Sequence, residues 1–141
     1  FNKLGEVVGV NVAIRAGAQN IAFAIPVDTM ITRASDMISV RRRMGLAHGL
    51  AVEDRCDRPA DDAPVRRWVA VSRVEPDSPA AAAGFRVGDV VEKAGDVPVL
   101  TSIDLERALL DRPAGSPAVV RVRRGESAAD LTLALQPAAA S

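Results

Sequence analysis

The chain has 141 residues, 48% of them hydrophobic and 26% charged, which fits one globular domain, or one domain with a piece of another. Eighteen basic residues cancel eighteen acidic ones, so no net field points to nucleic acid or a membrane surface. Binding to either needs a local patch, and the one basic run, Arg41, Arg42 and Arg43, reads as solvated surface. No stretch reaches the length of a membrane span, and the lone Cys56 cannot form an internal disulfide.

The opening FNKLGEVVGV lacks the charged-then-apolar layout of a signal peptide, and the chain does not begin with Met. A fragment of a longer protein is therefore expected. Residues 6–14 read as strand, residues 15–19 as a turn around Gly17, and residues 21–25 as a second strand that stops at Pro26. One hairpin cannot cover its own apolar face. Over residues 28–42, Met30, Ile31, Ala34, Met37 and Ile38 recur at helical spacing, with Asp28 placed to cap the start.

Residues 43–136 read as a complete small domain. Residues 45–52 suit a strand. Residues 53–67, EDRCDRPADDAPVRR, are polar and proline-bearing, and so predict a long exposed loop. WVAVSRV, residues 68–74, is a strong strand pattern. Ser78 then caps a short helix with Pro79 at its first position and Gly84 at its stop. Strands follow at 90–94 and 97–100. Thr101 or Ser102 caps a second helix running to about Leu110, and Pro113 and Gly115 end it. Residues 119–122 and 130–135 are the last strands, and residues 137–141 a frayed tail. The class is mainly β with two short helices, α+β.

The block EPDSPAAAAGFRVGDVVEKAGDVPV resembles the signature of PDZ domains, in particular those of bacterial serine proteases of the HtrA (high-temperature-requirement) family. GEVVGVNVAI followed by NIAFAIPVD is similar to the final strands of the trypsin-like domain in those proteases, just upstream of the PDZ domain. The resemblance implies four parts: protease strands at 1–27, incomplete; a linker helix at 28–42; a PDZ domain at 43–136; a disordered tail at 137–141. The implied fold is a PDZ-like partly open β-barrel or sandwich, preceded by a β-hairpin remnant of a trypsin-like barrel.

A trypsin-like mechanism needs a serine, a histidine, an orienting acid and an oxyanion hole. This sequence has one histidine, His48, read as an exposed edge-strand residue, and no Gly-Asn-Ser-Gly-Gly or Gly-x-Ser-x-Gly motif. The resemblance places all three catalytic residues upstream, so the fragment alone is expected to be inert. One His and one Cys at no recognisable spacing do not make a zinc site, and no cofactor is implied.

What the resemblance does imply is capture of extended or C-terminal peptides, including those of unfolded proteins, by β-augmentation. The candidate loop is Arg43, Met44, Gly45 and Leu46, with the edge running on through Ala47 and His48. Ser102, Glu106 and Leu109 are expected to face the groove from the second helix, with Leu105 and Ala108 turned to the core and Leu46 and Leu109 lining an apolar pocket. Two positions depart from the family pattern: Arg43 with Met44 replaces the usual tyrosine or leucine, and Glu106 stands where an apolar residue is common. Glu106 either selects a basic or polar ligand position or is solvated, and the solvated reading is preferred. In the protease remnant, Asn11, Val12, Ala13 and Ile14 correspond to the strand that pairs with substrate; Val12 and Ile14 equally fit barrel core.

Three functional readings follow. One is the regulatory PDZ module of an HtrA-like protease, extracytoplasmic by resemblance and oligomeric through its protease domain. The second is a scaffolding module of a catalytically dead homologue. The third is an unrelated interaction domain in which the groove is closed.

Overall fold

The computed structural model describes residues 1–14, 22–60, 63–113 and 116–138. Strands β1 (Gly9–Ile14) and β2 (Ala22–Pro26) pair antiparallel, from Gly9 opposite Pro26 to Ile14 opposite Ala22. The turn expected at 15–19 lies outside the described residues. Chain then passes without a break into helix α1 (Val27–Ile38). Asp28 does not cap this helix; its carboxylate instead accepts a hydrogen bond from Arg67 at 3.0 Å.

The single helix expected over 28–42 is two. It breaks at Ser39, which is extended (φ −56°, ψ 143°), and restarts as α2 (Val40–Met44). Serine competes with helix by bonding nearby backbone, and the Ser39 hydroxyl accepts from the Arg42 N–H at 3.4 Å. The redirected chain buries Val40 completely in the core.

A main sheet holds β4 (Leu50–Asp57), β5 (Arg66–Val74), β6 (Val90–Ala94), β8 (Ala118–Arg124) and β9 (Ser127–Leu133) in the order β4-β5-β6-β8-β9, with β7 (Val97–Pro98) folded onto β6. Its pairings are all antiparallel. A separate pair joins β3 (Leu46–Ala47) to β10 (Gln136–Pro137). The strand expected over 45–52 is thus divided by a turn at His48 and Gly49.

The long loop expected over 53–67 is shorter than that, because β4 runs on to Asp57 and β5 starts at Arg66. Charged side chains suit an outer strand, where they face water and discourage pairing with other chains. Here Asp57 meets Arg66 across the pair at 2.9 Å.

Two more helices lie among the strands. Helix α3 (Pro79–Ala83) starts at Ser78, whose hydroxyl accepts from the Ala81 N–H at 3.2 Å, and stops at Gly84 with φ 88°. Helix α4 (Ser102–Leu110) has Thr101 as its N-cap, and Asp104 closes the first turn by accepting from the Thr101 N–H at 2.8 Å. Leu105 and Leu109 of α4 are fully buried with Val69, Val91, Val120, Val122 and Leu133 of the sheet. Strand β8 alternates buried and exposed residues, as a strand with one face on a core must.

Asp89 is a charged residue buried in the fold, 1% exposed. Burial pushes its carboxyl up, but two hydrogen bonds of 2.7 Å from Arg124 and one of 2.9 Å from the Arg86 N–H outweigh that and hold it below the ordinary carboxylate value.

The N-terminal segment is pinned by Glu6, which accepts from the Val65 N–H at 3.0 Å, from Asn2 at 2.5 Å and from Arg58 at 2.8 Å. The Val65 and Asn2 hydrogen bonds, with the Arg58 charge, lower its pKa from 4.5 to about 2. A carboxylate with a depressed native pKa contributes its stability in full above the unfolded value and loses it as pH falls through the native one. The stability gap between wild type and Glu6→Gln, from urea unfolding, is therefore expected to be constant above about pH 5. It should shrink between pH 4.5 and about 2. A gap that does not change with pH would mean that ionised Glu6 does not hold this segment.

Candidate functional site

Among the described residues, β4 is one of the two outer strands of its sheet, and one row of its backbone groups faces no partner strand. Opposite that edge lies α4, and between them is a cavity of about 490 Å³. Leu50 to Arg55 line it from β4, Ser102 and Glu106 from α4, and Thr32, Ser35 and Asp36 from α1. The groove therefore has three walls. A smaller hollow of about 160 Å³ continues beyond Glu106, walled by Leu46, Ala47, His48, Leu50, Arg41 and Glu75 among others.

Two carboxylates bridge the walls. Asp54 of β4 accepts from both the backbone N–H (2.7 Å) and the hydroxyl (2.5 Å) of Ser102, taking up an orphan donor at the start of α4. Glu106 of α4 accepts from the Val40 N–H at 2.8 Å with one oxygen and meets His48 Nε2 at 3.1 Å with the other. The His48 Nδ1 accepts from the Leu50 N–H at 3.0 Å, so Nε2 carries the proton and donates to Glu106. These side chains are each only 11% exposed.

This corrects three expectations. Glu106 is not solvated but buried, because two donors from other elements converge on it. His48 is not an exposed edge residue; its ring is drawn inward by the same pair. Leu109 has no exposed surface and belongs to the core with Leu105 and Ala108, so the helix does not divide into a groove face with Leu109 and a core face without it.

Leu46, Ala47 and His48 do come together with Glu106 around the smaller hollow. Arg43 and Met44 do not; they line a different hollow with Ile38, Arg107, Leu110 and Asp111. Gly45 ends α2 in the left-handed region, φ 65°, and its carbonyl accepts from the Ala138 N–H at 2.7 Å. Both residues of β3 are paired with β10 along one edge, while β4 lines the cavity beside α4. Sequence reading placed residues 50–52 on a strand but missed β4 residues 53–55, because EDR in a charged run reads as loop. It missed Thr32, Ser35 and Asp36 because nothing in a helical repeat tells which groove the helix borders.

The description PDZ domain matches residues 47–135, more than half of the chain, and the chain belongs to the PDZ-domain family. Its relatives are HtrA-type proteins. The human serine protease HTRA3 is 32% identical over 146 residues, covering 94% of this chain and 30% of that protein. The periplasmic serine endoprotease DegP of Salmonella typhimurium is 30% identical over 147 residues, covering 99% and 30%. HhoB of Synechocystis sp. is 32% identical over 149 residues, covering 89% and 33%. The chain thus spans about a third of the length of these relatives.

Among solved structures, the HtrA3 PDZ domain bound to a phage-derived ligand, FGRWV, is similar at TM-score 0.52 and 26% identity, covering 64% of this chain and 85% of that one. The HtrA-type protease AlgW with a decapeptide shares the fold at TM-score 0.51 and 22% identity, covering 93% and 42%. Among the described residues, no helix is long and apolar enough to cross a membrane.

Replacing Glu106 by Gln leaves one oxygen for two donors that both need one. Loss of about 1–3 kcal/mol in urea unfolding is expected, with amide shifts centred on Val40 and the 48–50 turn. Unchanged stability and unmoved Val40 and Leu50 amides would show that the carboxylate does not bridge these elements.

Proposed function

We propose that this chain is the peptide-binding, regulatory end of an HtrA-type serine endopeptidase. The observation that carries the reading is the unpaired edge of β4 facing α4 across an open cavity, in a chain of the PDZ-domain family. An extended peptide adds to that edge as a further strand, its main chain supplying affinity and its side chains entering the spaces between β4 and α4. The turn at Gly45 with Leu46, Ala47 and His48 receives the peptide's end, and Arg43 and Met44 flank that turn. Ser102 and Glu106 shape the groove from α4, with Leu109 supporting it from the core.

The β1–β2 hairpin is the closing part of a trypsin-like barrel in this reading. Val10, Val12, Phe23 and Ile25 are exposed on it, as expected of strands whose barrel partners lie elsewhere. Asn11, Val12, Ala13 and Ile14 pair with substrate only when that barrel is present. Catalysis belongs to upstream residues, homo-oligomers form through the protease domain, and the protein works in the periplasm or is anchored facing it. The relatives named as serine proteases and the periplasmic DegP support this placement.

A library of extended peptides, each with free and amidated C-termini, tests the reading by calorimetry on the 141-residue chain. Hits should lose binding when alternate ligand amides are N-methylated, since edge pairing uses main-chain donors. Gly45→Val, strained at its positive φ, should weaken them by about tenfold. Absence of any peptide ligand would sink the proposal.

A further inference from the structure

We infer that helix α1, which lies outside residues 47–135 of the PDZ match, is a ligand-reading wall of the groove, and that Asp36 on it selects an extended peptide bearing a Lys or Arg side chain. This rests on the peptide-binding reading above and adds to it which residues choose the ligand, and for what chemistry.

Ile31 and Ser35, one turn apart, are the residues of α1 that are buried. Thr32 and Asp36 follow each by one position, so they occupy the adjoining stripe of the helix, about 100° further round. That stripe borders the cavity of about 490 Å³ beside the unpaired edge of β4. A peptide laid along β4 runs past it.

Charge decides what such a peptide carries. Four carboxylates, of Asp36, Glu53, Asp54 and Glu106, line the cavity against one guanidinium, that of Arg55. Arg55 is already held by Glu53 at 2.6 Å. Asp54 is occupied by Ser102, and Glu106 by Val40 and His48. Thr32 donates its hydroxyl to the Asp28 carbonyl at 3.0 Å, within its own helix. Among the described residues, the Asp36 carboxylate has no hydrogen-bond or ion-pair partner. It is the lining carboxylate left to meet a ligand, and a cation beside it also offsets the negative field of the other three. An acidic ligand side chain at the same place adds a fifth negative charge.

The test uses the full 141-residue chain and peptides that differ at one position, with Lys, norleucine or Glu scanned along an otherwise constant binding sequence. At one register, Lys should bind about three- to fivefold better than norleucine, and Glu worse, as one partly exposed ion pair allows. Asp36→Asn should remove the Lys advantage, and Asp36→Lys should transfer it to Glu, while Glu126→Gln in the remote β8–β9 turn changes neither. Unfolding midpoints should stay together, because among the described residues the Asp36 side chain has no bonding partner. If peptides bind but ignore both Asp36 variants, α1 is not a reading wall, although the groove stands. If Asp36→Asn strengthens every peptide regardless of charge, α1 is a lid rather than a wall, and the inference falls. If no peptide binds to the wild type, the peptide-binding reading itself fails, and this one with it.

Discussion

The buried carboxylate of Glu106 is the constraint on which the groove depends. A charge taken out of water must be matched by donors, and Glu106 draws its two from parts of the chain distant in sequence, Val40 and His48. One of those donors is the first backbone N–H of α2. The other is the imidazole in the turn between β3 and β4. The segment from Val40 to His48, which contains the Gly45 turn, is therefore braced near both ends by a single side chain on α4.

The brace explains why the two helices of the linker are part of the domain rather than a tether. Val40 is fully buried, Ile31 and Ser35 are buried, and Asp28 reaches Arg67 on β5. Because α1 continues β2 with no intervening residue, the helix that borders the cavity is directly continuous with the hairpin. Glu6, bonded to Arg58 and to the Val65 N–H, adds a second attachment between the N-terminal segment and the β4–β5 connection. The same carboxylate chemistry recurs at Asp89, where Arg124 supplies the matching charge for a buried side chain. Each of these ties joins elements that the chain order separates.

Legibility varied with how local the physics was. Ser78, Pro79 and Gly84 start and stop α3 through contacts spanning a few residues, and Thr101 with Asp104 starts α4 in the same way. The alternating β8 and the valines of β5 carry their burial in their spacing. The break at Ser39 was less visible, since helical periodicity runs through it and only the burial of Val40 makes the break worthwhile. EDRCD looked like loop because its charges are those of an outer strand, which shares a loop's exposure but not its backbone.

By itself, the sequence determined the class of fold, the punctuation of the short helices, and the motif through which the chain is placed in the PDZ-domain family. These depend on spacing, caps and turn residues, which act over a few positions. Only the tertiary structure decided that Glu106 is buried and bonded, that Leu109 belongs to the core, that β3 and β4 fall in separate sheets, and that α1 lines the groove with β4 and α4. A carboxylate is solvated or buried according to which donors reach it, and those donors come from residues 58 and 66 positions away, a separation that no local pattern encodes.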